Sequence, residues 1–183
     1  TENLTISAEM NDQTVIHGES RIPKNSGKIN TLYLTPKAPR AYLPSVEAIK
    51  DAEIIIIGPG SLYTSILPNL LVPGIGKAIE ESTAIKIFVC NVATQKGETD
   101  GFSVYDHVKT LRDHTSYNLV NHVLINHNIK PLGDEFTGTP VEDGRYPVKD
   151  VKLVKEDIIN SDFRLHHDPE RLATAIMKLY HDR

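Results

Sequence analysis

Three short segments concentrate the residues able to hold a polar ligand. The first is Gly58-Pro59-Gly60-Ser61-Leu62-Tyr63-Thr64-Ser65, where glycines let a ligand approach the main chain and hydroxyls suit a phosphate. The second is Asn91-Val92-Ala93-Thr94-Gln95-Lys96-Gly97-Glu98-Thr99-Asp100-Gly101, unusually dense in amides, hydroxyls and carboxylates for a connector. The third is Asn126-His127-Asn128. Sugar hydroxyls and nucleotide edges call for that mixture; an apolar ligand does not. Gly58, Gly60, Ser61 and Thr64 are the candidates facing phosphate, and Asn91, Thr94, Asp100 and Asn126 those facing other polar groups. Tyr63 has two readings, a stacking surface for a base or ribose and a core aromatic. Arg164 reaches an anionic ligand if the last helix folds over the crevice, and is otherwise a surface arginine. The bland reading of the first segment is a tight strand-to-helix turn capped by its hydroxyls, since it lacks the full dinucleotide or P-loop signature.

Other reactive groups carry less. The eight histidines show no zinc-type spacing. Cys90 ends an apolar run and reads as a buried small hydrophobe; nothing in the sequence brings His107 or His114 to it. No residue is assigned a catalytic role. Asp106, three residues after Ser103, reads as half of a capping box.

The elements that must position these segments follow from periodicity. Residues 4–10 alternate as a strand, 11–13 turn, and 14–22 read as the returning strand of a hairpin; a third strand covers 29–34. A proline-rich connector over 36–44 leads to a short helix over 45–51 with Val46 and Ile49 inward. The pattern then becomes βαβ. Four consecutive isoleucines, Ile54 to Ile57, read as a strand buried on both faces of a parallel sheet. Pro68 and Pro73 split the helical stretch 62–82, and strands follow over 85–90, 119–125 and 148–154. Residues 104–114 form a helix, 137–147 an exposed loop, and Asp168-Pro169 opens a last helix with Leu172, Ile176 and Leu179 on one face. The expected fold is α/β, with a largely parallel sheet preceded by an N-terminal β-hairpin element. If the strands are parallel, the three polar segments emerge on one edge, where open α/β sheets bind ligands.

Composition narrows the function. At 183 residues the chain suits one domain spanning 1–183. With 20 Lys and Arg against 24 Asp and Glu, and no basic cluster, nucleic acid is excluded as a partner class. A single cysteine fits a reducing compartment, and no apolar run approaches the roughly 18 residues that membrane insertion requires, so a cytoplasmic setting is expected.

The ordered match of Gly58 to Ser65, Pro68-Asn69-Leu70-Leu71-Val72, Cys90 to Gln95, Gly97 to Gly101, Asn3 to Met10 and Gly18-Glu19-Ser20 resembles the YvcK-type gluconeogenesis factors of the CofD-like superfamily. The resemblance implies a Rossmann-like three-layer α-β-α fold and binding of UDP-sugars, UDP-N-acetylglucosamine especially. It also implies a role in carbon metabolism and bacterial cell shape, with cell-wall synthesis proteins as partners left open. The related phospholactate transferases imply a Mg²⁺ site, for which Glu98 and Asp100 are the candidates against a plain loop-bonding role; no cofactor is assigned and the metal ligands are left unknown. Those transferases carry Ser-Asn-Pro where this chain has Gly60-Ser61-Leu62-Tyr63, which counts against transferase chemistry. The family's glycine-rich phosphate loop has no match here. With Thr1 in place of methionine, the chain reads as the C-terminal portion of such a domain without its N-terminal half. Oligomeric state, homo-oligomer included, is left open.

Overall fold

The computed structural model describes residues 3–25, 27–115, 118–130, 136–144 and 149–182. The chain opens with an antiparallel sheet of order β2-β1-β3, built from β1 (Thr5–Met10), β2 (Val15–His17) and β3 (Ile29–Thr35). The turn between β1 and β2 is held by Asp12, whose Oδ1 accepts from Thr14 N–H and Oγ1–H at 3.0 and 2.6 Å. The returning strand expected over 14–22 is cut short. Gly18 takes φ +95°, turning the chain, and Ile22–Lys24 coils into a 3₁₀ turn that buries Ile22 fully. The expected hairpin is therefore formed by β1 and β2 with a shortened second strand, and β3 extends it to a three-stranded sheet.

Helix α1 (Leu43–Asp51) begins two residues before the expected start, with Pro44 tolerated in its first turn, and keeps Val46 and Ile49 half-buried as expected. The main sheet follows: β4 (Ile54–Ile57), β5 (Ile85–Val89), β6 (His122–Asn126) and β7 (Lys152–Glu156), in that order and parallel throughout. Every residue of β5 is buried, Lys86 included; its ammonium donates to the Glu80 carbonyl at 2.9 Å. β4 departs from expectation. It is an edge strand, and Ile56 is 45% exposed rather than buried. Val148, expected to begin the last strand, lies outside the described residues, as do 145–147 of the expected loop.

The prolines divide the segment between β4 and β5 as predicted, into a π-helical turn (Leu62–Ile66), α2 (Leu67–Leu70) and α3 (Pro73–Glu81). α4 (Val104–Thr115) opens on the predicted capping box: Ser103 N–H donates to Asp106 Oδ2 at 2.8 Å, and Asp106 N–H to Ser103 Oγ at 3.3 Å. α5 (Pro169–His181) is capped by Asp168, which accepts from the Glu170 and Arg171 amides. Two apolar clusters occupy opposite faces of the parallel sheet. Ile55, Ile57, Phe88, Val123 and Ile125 pack toward the small sheet, α2 and α4. Ile87, Val89 and Leu124 pack toward Ala175, Ile176 and Leu179 of α5. The sheet is thus covered by helices on both sides. Among the described residues no helix is long and apolar enough to cross a membrane.

Candidate functional site

A cleft of about 420 Å³ opens beyond the carboxyl ends of β4 and β5. Pro59 and Gly60 line it from one strand end, Asn91, Val92, Ala93 and Gln95 from the next, and Leu165, His166, His167, Pro169 and Leu172 from the approach to α5 and its first turns. Parallel pairing aligns these ends: Ile57 sits beside Phe88, so the loops that follow diverge from neighbouring points.

A hydrogen-bond chain joins the two loops. Asn91 Nδ2 donates to Gln95 Oε1 at 3.1 Å, and Gln95 Nε2 donates to Ser61 Oγ at 3.0 Å. Ser61 stands at the start of the π-helical turn without capping it; its side chain serves Gln95 instead. The capping is done from a distance. Glu98 is buried, its Oε2 accepting from the Tyr63 amide at 3.0 Å and the Thr64 amide at 3.4 Å, and its Oε1 from Thr64 Oγ1–H at 2.7 Å. A carboxylate at the amino end of a helical turn satisfies donors that would otherwise be buried without partners.

Gly58 carries the positive φ, +87°, and a Cβ there would meet the Val89 carbonyl oxygen at 3.0 Å. Gly60 has ordinary backbone and room for a Cβ, 3.4 Å from the nearest atom. The turn geometry therefore rests on Gly58, while Gly60 faces the cleft.

Of the candidates from the sequence, Gly60 and Asn91 line the cleft, and Ser61 joins through Gln95. The others are engaged elsewhere. Tyr63 is core, edge-on to Phe102 and His114, and burial pushes its phenol pKa up. Thr64 is buried on Glu98. Thr94 pairs with a second segment: its amide donates to Thr139 O at 2.8 Å and its Oγ1 accepts from Thr139 N–H at 2.9 Å. That segment was expected to be an exposed loop, yet it docks on the strand end, with Val141 buried and its amide on Val92 O. Asn126 lines a different hollow, with Glu142, Asp143 and Lys155, and uses its amide on Asn128 O and the Ile158 N–H. Arg164 donates to Asn128 O, Asn128 Oδ1 and Lys130 O, bracing a loop rather than reaching the cleft.

Glu98 and Asp100 do not fit a magnesium site. Both oxygens of Glu98 are spent on Tyr63 and Thr64, and Asp100 Oδ2 closes its own loop by accepting from Gly97 N–H at 2.6 Å. Among the described residues no group of three or more His, Cys, Asp and Glu side chains could hold a metal ion.

Sequence reasoning missed Gln95 as the bridge and the histidine pair. His167 donates through Nε2 to the Cys90 carbonyl at 3.2 Å, and desolvation holds its pKa below the ordinary histidine value. Neutral and fixed in that way, its Nδ1 is an acceptor. The dipeptide His166-His167 just ahead of the Asp168 cap was the available signal. Cys90 itself is fully buried, its thiol pushed up to about 12, which removes it as a nucleophile.

Comparison with known proteins accords with this architecture. The family model described as 2-phospho-L-lactate transferase CofD matches residues 1–159. The gluconeogenesis factor of Halalkalibacterium halodurans is 44% identical over 96% of this chain and 57% of its own length. That of Bacillus subtilis is 35% identical over 97% of this chain and 58% of its own. A crystal structure of a UPF0052 family member from Bacillus halodurans superposes with a TM-score of 0.85 at 37% identity, covering 96% of this chain and 59% of that one. The chain therefore spans somewhat more than half the length of these relatives.

Proposed function

Given that the chain belongs to the CofD family, we propose that its cleft takes a nucleotide-sugar of the UDP-N-acetylglucosamine type and that the protein acts as a regulator of gluconeogenic growth and cell shape. The observation carrying this reading is the Asn91–Gln95–Ser61 chain, which fixes the Asn91 and Gln95 amides against the cleft and ties them to the turn after β4. Amides held in one orientation read sugar hydroxyls and base edges; Gly60, bare of side chain, lets an oxyanion come close to the main chain. Val92, Leu165 and Leu172 supply apolar wall. The relatives named gluconeogenesis factor support the regulatory side of the reading.

The rival, a magnesium-dependent phospholactate-type transferase, draws on the family description. It is disfavoured by the commitment of Glu98 and Asp100 to backbone amides and by the Gly60 to Tyr63 segment. Titration calorimetry with UDP-N-acetylglucosamine, uridine and N-acetylglucosamine separates the possibilities. The nucleotide-sugar binds more tightly than either fragment on this reading; equal affinity for uridine would remove the sugar and diphosphate from it. Metal-dependent turnover of a nucleoside-diphospholactate with a deazaflavin acceptor would establish the rival.

A further inference from the structure

Positive charge is unevenly placed around the loop that follows β5. The cleft beyond β4 and β5 is lined by no lysine or arginine among the described residues. A second hollow, of about 670 Å³, lies between the later part of the same loop and the turns of the small sheet. Lys96 and Phe102 stand in one wall; Lys24, Asn25 and Lys28 stand in the other, with Asn11 from the turn between β1 and β2. Hydrogen-bonded turns hold both walls. Asn11 N–H donates to Lys28 O at 2.9 Å, Asn25 N–H to Ile22 O at 3.2 Å, and Gly97 N–H to Asp100 Oδ2 at 2.6 Å.

Lys24, Lys28 and Lys96 are exposed, and none forms an ion pair among the described residues. The two carboxylates of the hollow are committed to its own frame, Glu98 to Tyr63 and Thr64, and Asp100 to Gly97. The side-chain amides of Asn11 and Asn25 have no hydrogen-bond partner among the described residues. In a chain of net charge −4, three ammonium groups around one hollow without ion-pair partners make a local positive field that draws in an anion. Lysine holds a phosphate as a point charge with rotatable donors, and no arginine lines the hollow among the described residues to clamp a carboxylate by two parallel bonds. We propose that this hollow is a second ligand site, which takes a small phosphorylated metabolite, its phosphate among Lys24, Lys28 and Lys96 and its hydroxyls on the Asn11 and Asn25 amides. The volume falls within the roughly 300–1,000 Å³ of small-molecule pockets and exceeds what a bare phosphate fills. Buried Ile29 and half-buried Phe102 supply a short apolar wall for the carbon skeleton.

Amide NMR of the 183-residue chain, titrated in turn with glucose 6-phosphate, inorganic phosphate, glucose and citrate, tests the site. The expected result is a saturable shift of the Lys24, Lys28, Lys96 and Gly97 amides with glucose 6-phosphate, tighter than with inorganic phosphate, and none with glucose. Lys24→Gln, Lys28→Gln and Lys96→Gln each weaken that binding about three- to fivefold and leave the melting temperature unaltered, since all three side chains are exposed. Lys50→Gln, in the last turn of α1 and away from the hollow, has no effect. Absence of saturable shifts, or an equal loss in Lys50→Gln, overturns the site in favour of solvated surface charge. Equal affinity for inorganic phosphate overturns the metabolite in favour of the free ion, and tighter binding of citrate at the same residues overturns it in favour of a polycarboxylate. Shifts confined to Gly60, Asn91 and Gln95 move the phosphate to the cleft and overturn it as well. Because the readout lies at the three lysines, the outcome is independent of which ligand the cleft takes.

Discussion

Glu98 Oε1 accepts the Thr64 hydroxyl hydrogen at 2.7 Å, joining a residue of the loop after β5 to one thirty-four positions earlier in the turn after β4. With the Tyr63 and Thr64 amides on its other oxygen, this one carboxylate holds both walls of the cleft in register. Glu98→Ala leaves those buried donors unpaired and costs on the order of 2–3 kcal/mol. Thr64→Val removes only one of the bonds and costs about 1 kcal/mol. Urea unfolding of the two variants measures both; equal losses would mean that the amide bonds contribute nothing.

The two glycines of the turn separate by role. Gly58→Ala forces a side chain into positive φ against the Val89 carbonyl and lowers stability by at least about 1–2 kcal/mol. Gly60→Ala is within about 0.5 kcal/mol of the parent. Gly60→Val narrows the cleft and weakens ligand binding at unchanged folded fraction. Melting curves and calorimetry on the three variants decide it, and a Gly58→Ala protein as stable as the parent would show that the turn tolerates an L side chain.

Gln95→Ala breaks the link between the strand-end loops. Loss of one fixed amide of about 1–1.5 kcal/mol lowers nucleotide-sugar affinity about five- to tenfold. Its Tm stays close to the parent's, since Gln95 is only half-buried. A fall in Tm with affinity intact would make the bridge structural.

Stability falls on mild acidification. His107 is almost wholly buried on α4, Nδ1–H donating to Ser103 O at 2.8 Å and Nε2 without a hydrogen-bond partner. Burial pushes its pKa below the ordinary value, with the Ser103 bond and the Asp106 charge opposing. The unfolded chain takes up this proton at about pH 6.5 and the folded chain does not, so the unfolded state binds more protons. The contribution is complete above that pH and is lost as pH drops through it toward the folded value. His167, shifted the same way, adds to the slope. Denaturant midpoints at pH 7.5, 6.5 and 5.5 should decline in that order, less steeply in His107→Gln; a flat or rising series contradicts the buried neutral state.

Local chemistry made much of this fold legible. The alternation of β1, the prolines at 68 and 73, the Ser103–Asp106 box and the Asp168-Pro169 start each act within a few residues and can be read in place. The site was less legible because its ties are long-range. Glu98 reaches Tyr63 over thirty-five positions, Thr94 reaches Thr139 over forty-five, and His167 reaches Cys90 over seventy-seven. The polar density of residues 91–101 signalled importance without telling which groups face a ligand and which hold the loops. Ile56 misled for a related reason: four isoleucines state an apolar environment but not which element supplies it.

Gly97 has a consequence for how the small sheet is held. A Cβ at this position would stand 2.1 Å from the Pro23 carbonyl oxygen, so the loop after β5 and the 3₁₀ turn after the small sheet touch main chain to main chain, with no side chain between to absorb displacement. One residue on, Glu98 grips the opposite wall of the cleft. The antiparallel sheet is thereby braced, backbone against backbone, on the loop whose Glu98 holds the turn after β4.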